Sequence, residues 1–181
     1  MKKNYLIISE ILGFFVIFSA AVFLWNIYEF SGKATPAVIF GAVNGSVWEK
    51  AKCLSISYAL YAIIQIFCVK PPFKQFVAAK VISLSVALVM FIVSDYCLDF
   101  DLPVLAVAVL SGLLCSYLLT CSALNLRAVF APMCFLLLLI FMMTFTFTAF
   151  APKLGIFCDP YTGYYGVIPP SFDMGAVSLG T

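Results

Sequence analysis

The chain has 181 residues, of which 65 % are hydrophobic and only 10 % charged, whereas a soluble domain has about a quarter of its residues charged. Its net charge of +2 comes from ten scattered Lys and Arg, too dispersed to form a nucleic-acid surface. It has no His, which removes His-ligated haem, the common His-containing zinc sites and every Ser-His or Cys-His nucleophile pair, and its seven Cys include no C-x-x-C, so neither metal nor cofactor is expected.

Five apolar runs follow one another, each near the length of about 20 residues that crosses a bilayer. The first covers about residues 5–28, behind Met1-Lys2-Lys3. Its uncharged stretch from Ile11 to Ile27 is longer than a signal-peptide core and no small-x-small site follows, so it is expected to be retained. Residues 31–43 are too short and too interrupted to span, and are expected to form an interfacial or re-entrant loop.

The second run, about 47–69, opens on a capping box in which Ser46 caps the helix and Glu49, three residues on, reaches back. Pro71-Pro72 ends it and leaves only a tight turn before the third run, about 73–94, so the two are expected to form an antiparallel hairpin. The fourth run covers about 103–124, the fifth about 128–150, and a tail, 151–181, completes the chain. Backbone amides cannot stay unpaired in hydrocarbon and the runs lack barrel-strand alternation, so all are expected to be helical. The expected fold is therefore an all-α integral membrane protein, a bundle of about five transmembrane helices in a single domain spanning 1–181. Small residues four apart, at Ala51, Ser55 and Ala59, at Ala79, Ser83 and Ala87, and at Ala108, Gly112, Ser116 and Thr120, mark close-packing faces within the chain or between chains.

Positive charges set the expected orientation, with the N-terminus inside and the C-terminus outside. Lys2, Lys3, Lys70, Lys74, Lys80 and Arg127 then lie on the inner side, against Lys33, Lys50, Lys52 and Lys153 outside. Glu29, Glu49, Asp95, Asp99, Asp101, Asp159 and Asp173 fall outside, and only Glu10 lies in the inner half.

This topology gathers three polar segments, residues 28–32, 43–50 and 159–166, at the outer face. The candidate ligand-binding residues are Glu29, Asn44, Ser46, Trp48, Glu49, Asp159, Thr162 and Tyr165. They are expected around a pocket floored by the N-terminus of the second spanning helix, whose positive dipole end favours an anionic group. The competing reading makes Glu49 a cap, Asn44-Gly45 and Asp159-Pro160 turns, and the aromatics ordinary interfacial anchors.

An E-x-S-G ending to the first helix, a V-N-x-S-x-W-E stretch at residues 43–49 and a D-P-x-T-G-x-Y-G tail at 159–166 resemble a family of small multi-pass bacterial membrane proteins, found chiefly in Firmicutes, that has no assigned activity. The resemblance spans nearly the whole chain. It implies the multi-pass architecture and a bacterial cytoplasmic membrane, and it marks Glu29, Asn44, Glu49 and Asp159 as site residues without implying a reaction. The family's pattern carries a Glu at the position of Gly45 and a His at that of Lys50, and this departure weakens any metal site.

Glu10 and Lys80 each lie about seven residues into their helices and match in depth, so they form an intramembrane charge pair, or Lys80 snorkels, or the two serve a proton or ion relay. Thr144 and Thr148 share a face of the fifth helix but are expected to bond back to their own backbone, outside the site. Cys97 and Cys158 fall at the outer surface, where an oxidising compartment permits a disulfide. Three functions fit: a small-solute transport or permeation component, requiring a homo-oligomer or a membrane partner subunit; an accessory or assembly protein; and a membrane-embedded enzyme on a lipid-type substrate, with Glu49 and Asp159 as acid and base. Without His the enzyme is the least favoured, and membrane lipid is the one partner common to all three.

Overall fold

The computed structural model describes residues 3–98, 100–122 and 124–167; Lys2, Asp99, Asp173 and the tail beyond residue 167 lie outside them. The helices are α1 (Lys3–Phe30), α2 (Thr35–Phe40), α3 (Val47–Val69), α4 (Phe73–Asp95), α5 (Asp101–Cys121) and α6 (Phe130–Ala149). Five of them, all but α2, are long and apolar enough to cross a bilayer, α6 together with the 3-10 turn that leads into it. α5 starts at Asp101 rather than at 103 because Pro103 falls in its first turn, where helix N–H groups lack intrahelical acceptors in any case.

Local chemistry sets the helix ends. Ser46 Oγ accepts the Glu49 N–H at 3.4 Å and opens α3. Lys70 closes it in the left-handed region at φ 48°, its N–H donating to Ile66 O at 3.2 Å, and Pro71-Pro72 carry the chain directly into α4.

α1 packs on α3 and α5, and α4 on α3, α5 and α6. Their shared core holds Ile17, Leu54, Tyr58, Leu84, Phe91 and Leu105, all essentially without exposure. Association in lipid rests on close van der Waals contact, and the small-residue faces supply it within the chain. Ala79, Ser83 and Ala87 of α4 and Ala108, Gly112 and Ser116 of α5 are all buried. A methyl group at Gly112 would stand 2.8 Å from Ala87 Cβ and 3.1 Å from Ser83 O. α6 is peripheral, with 6 % of its most apolar stretch buried.

Between α1 and α3 the chain doubles back. Gly32 and Lys33, at φ 64° and 65°, reverse it, and Ala37 of α2 packs with Tyr28 and Val43. Ala42 N then donates to Leu24 O at 3.2 Å. Leu24 lies six residues before the end of α1, so the loop returns to a level about 9 Å below that end at 1.5 Å per residue. Gly41 makes this possible: a side chain there would meet Ile27 at 2.3 Å and the Leu24 carbonyl at 3.0 Å. Thus α3 begins below the rim of the bundle.

Valine at Gly112 is expected to force α4 and α5 apart and cost about 1–3 kcal/mol. The measurement is a lowered thermal transition of the detergent-solubilised protein, with the helical content of the survivors unchanged.

Candidate functional site

The recessed start of α3 holds a buried ion pair. Lys52 Nζ lies 2.7 Å from Glu49 Oε2, with the two side chains 0 % and 3 % exposed. The ammonium also donates to Val38 O at 3.2 Å and to Thr148 Oγ1 at 3.0 Å. Glu49 Oε2 accepts the Val43 N–H at 3.2 Å, and Oε1 accepts the Thr148 hydroxyl at 2.7 Å. The pair therefore fastens the connection between α1 and α3, at Val38 and Val43, and α6, at Thr148, to the first turn of α3.

This geometry corrects three expectations. Glu49 does not close a capping box, because the Ser46 N–H goes instead to Asn44 Oδ1 at 3.0 Å. Thr148 does bond back to Thr144 O at 3.1 Å, as Thr144 does to Phe141 O at 2.9 Å, but Thr148 is not outside the site: it is also a partner of both charges. Lys52, counted as an outer charge, is completely buried; its place three residues after Glu49, on the same helix face, was the signal for it.

The tail folds onto the same end. Asp159 Oδ1 accepts the Tyr161 N–H at 3.0 Å and Oδ2 the Thr162 hydroxyl at 2.8 Å, building a tight turn. Cys158 and Tyr165 pair across it as an antiparallel bridge, and Asn44 Nδ2 ties it down through Gly166 O at 2.8 Å. Gly45 faces the turn, where a methyl group would stand 3.0 Å from Asp159 Oδ1. The Cys158 thiol beside Tyr165 raises its phenol above the usual value, so the ring stays neutral near physiological pH.

Above this frame lies a pocket of about 470 Å³. Of the sequence candidates, Glu29, Asn44, Asp159 and Thr162 line it, whereas Ser46, Trp48, Glu49 and Tyr165 do not. Ser46 serves as the cap. Trp48 packs with Phe147 and Phe157, ring centres 5.3 Å and 4.9 Å away, under the tail. Trp25, Tyr28, Lys33, Lys50, Asp101 and Tyr161 are also among its lining. Lys50 Nζ lies 2.6 Å from Asp101 Oδ1 and 5.9 Å from the centre of the Trp25 ring, whose Nε1 donates to Lys50 O at 3.1 Å. Tyr28 and Lys50 lie in the polar segments the sequence gathers at this end, whereas Trp25 and Asp101 escaped the sequence reading because their convergence depends on α1, α3 and α5 meeting, which no local pattern encodes.

Glu49 lies in the first turn of α3, paired with Lys52, and the pocket walls carry three carboxylates, of Glu29, Asp101 and Asp159, against the ammonium groups of Lys33 and Lys50. Glu29 is exposed, and its carboxylate has no hydrogen-bond or ion-pair partner among the described residues.

At the opposite end of the bundle Glu10 and Lys80 are in contact, Nζ standing 2.9 Å and 3.1 Å from the two carboxylate oxygens. Cys97 is exposed, Cys158 is half-buried, and both are free thiols.

Glu49→Gln is expected to leave Lys52 charged and unpaired in the interior, a loss of about 3–5 kcal/mol. Combining it with Lys52→Met removes the lone charge and is expected to restore most of the thermal stability, measured by unfolding in mild detergent. Equal stability of the single variant and the wild type would show that the pair holds nothing.

No curated protein and no solved structure matches the chain. A family profile matches residues 2–167. On that match, which covers nearly its whole length, the chain belongs to the family of unknown function DUF6512.

Proposed function

We propose that this chain is a small-solute transport or permeation component whose pocket takes a compact organic cation or the ammonium end of a zwitterion. The observation that carries this reading is the free carboxylate of Glu29 on a pocket that also presents Asp101, Asp159 and the rings of Trp25, Tyr28 and Tyr161. Carboxylates neutralise an ammonium group, and aromatic faces attract it through their quadrupoles. Lys50 between Asp101 and Trp25 displays the same chemistry with a cation from the protein itself. Lys33 and Lys50 would hold the carboxylate of a zwitterion. An acid/base role for Glu49 finds no support, since its carboxylate is committed to Lys52, Thr148 and Val43 away from the pocket wall.

In this reading the protein sits in a bacterial cytoplasmic membrane with the pocket on the outer face. The charge bias supports that orientation: with buried Lys52 and Lys80 set aside, Lys2, Lys3, Lys70, Lys74 and Arg127 stand against Lys33, Lys50 and Lys153. One further observation favours an accessory or assembly role: α6 presents Phe135, Leu138 and Met142 at 60–67 % exposure, a face open to a second copy or another membrane protein.

Calorimetry on the detergent-solubilised protein is expected to detect binding of tetramethylammonium or small primary amines. Glu29→Gln should weaken it about tenfold, or 1.4 kcal/mol, with the folded yield unchanged because Glu29 lies at the surface. Uptake of the same cation into proteoliposomes separates transport from binding. Indifference to Glu29→Gln, or tighter binding of anions than of cations, would exclude this reading. Co-elution of a stoichiometric membrane protein, with no cation bound, would favour the accessory role.

A further inference from the structure

The polar cluster around Glu10 and Lys80 is distinct from the pocket and is assembled from four helices. Glu10 of α1 is 7 % exposed and Lys80 of α4 is 4 % exposed. Ser116 of α5 donates to Glu10 Oε1 at 3.0 Å. From α3, Tyr58 and Tyr61 turn their rings toward the ammonium, with centres 5.6 Å and 6.0 Å from Nζ, and Phe76 of α4 adds a third ring at 5.5 Å. Tyr58 OH donates to Ser83 Oγ at 2.9 Å, and Tyr61 OH donates to Ser9 O. The titratable groups facing the pair are therefore Tyr58 and Tyr61 of α3, with Tyr117 of α5 lining the groove beside Glu10. α6 brings only Leu137 and Phe141 near Lys80.

We infer that the Glu10–Lys80 pair is a reversible proton-binding site, open to the end of the bundle opposite the pocket. Both protonation states are provided for. With Glu10 ionised, Lys80 and Ser116 satisfy its carboxylate. With Glu10 protonated, the Ser116 hydroxyl can rotate to accept the new O–H, and the ammonium remains stabilised by three aromatic faces. A cavity of about 300 Å³, bordered by Tyr58, Phe76 and Leu137, opens on Lys80 and gives the released side chain room to move. A pair with only structural duties needs neither the ring cage nor the space.

A cluster of polar groups, Gln65, Ser9 and Tyr61, lies beside the pair toward the near end. Glu10 lies seven residues past Lys3, the first residue of α1, about 10 Å deep. Gln65, one turn from the end of α3, donates through Nε2 to Ser9 Oγ at 3.1 Å. Its Oε1 has no partner among the described residues although Gln65 is only 2 % exposed. An unanswered acceptor inside a bilayer is costly, and this one lies in the cluster formed where Gln65 meets Ser9 and Tyr61 meets the Ser9 carbonyl. The other described acids, Glu29, Glu49, Asp95, Asp101 and Asp159, belong to the opposite half.

The test is infrared difference spectroscopy of the full chain in phosphatidylcholine vesicles, titrated from about pH 9 to about pH 5. A carbonyl band from a protonated carboxyl is expected to grow as the pH falls, to be absent in Glu10→Gln, and to be present already at the alkaline end in Lys80→Met. Should Glu10→Gln not fold, Glu10→Gln combined with Lys80→Gln leaves no lone charge and is expected to lack the band likewise. Absence of such a band in the wild type, or its persistence in the Glu10→Gln variants, would overturn the inference and leave a fixed ion pair. The result is independent of whether the pocket binds a cation.

Discussion

A charge inside a helical bundle in lipid must be answered by the bundle itself, and the Glu49–Lys52 pair does more than satisfy that condition. The two residues are three apart on one helix, so the pair could form on an isolated α3 and need bind nothing else. Its remaining hydrogen-bonding capacity is what organises the fold: the ammonium takes up Val38 O and Thr148, and the carboxylate takes up Val43 N and Thr148. A buried charge pair is stable only when its other donors and acceptors are also satisfied. Here that requirement sets where the connection between α1 and α3 and α6 itself must lie, and the pocket rests on that connection.

The two ends of the bundle treat their charges differently. At the recessed end Lys52 is saturated by oxygen acceptors from three elements and sits without exposure. At the other end Lys80 has the Glu10 carboxylate on one side and rings on the other. Oxygen ligands in short hydrogen bonds fix an ammonium group, whereas ring faces hold it with little directionality. The first arrangement suits a strut and the second suits a group that moves.

The long apolar runs made the helices legible, and charge-free length in a bilayer leaves few alternatives. Helix ends were readable where a residue acts on its neighbours, as with Ser46 and Pro71-Pro72. The small-residue faces were visible as spacing, and Gly112 shows their purpose only when Ala87 is set against it. The site was half legible. Asn44 and Asp159 announce turns, and those turns do lie on the pocket, but Glu49 looked like a cap because its real partners, Val43, Lys52 and Thr148, include one 99 residues away. Thr148 was assigned to its own helix because a hydroxyl in a membrane helix usually bonds there; it does reach Thr144 O, at 3.1 Å, but lies closer to the buried Glu49 carboxylate, at 2.7 Å. Lys50 and Asp101 are unremarkable singly and become a pocket wall only across α3 and α5.

α6 is held most firmly at its extremities. At one end Thr148 meets the buried pair and the tail is pinned through Asn44; at the other Phe130 packs on Phe73 with the rings tilted, centres 6.0 Å apart. Along its middle Leu137 packs on the core, with cavities of about 300 Å³ and 160 Å³ to either side between α6 and the helices α3 and α4. Tilting of a rod moored this way would bear on its two ends, and one of those ends is the buried pair that also holds the loop beneath the pocket.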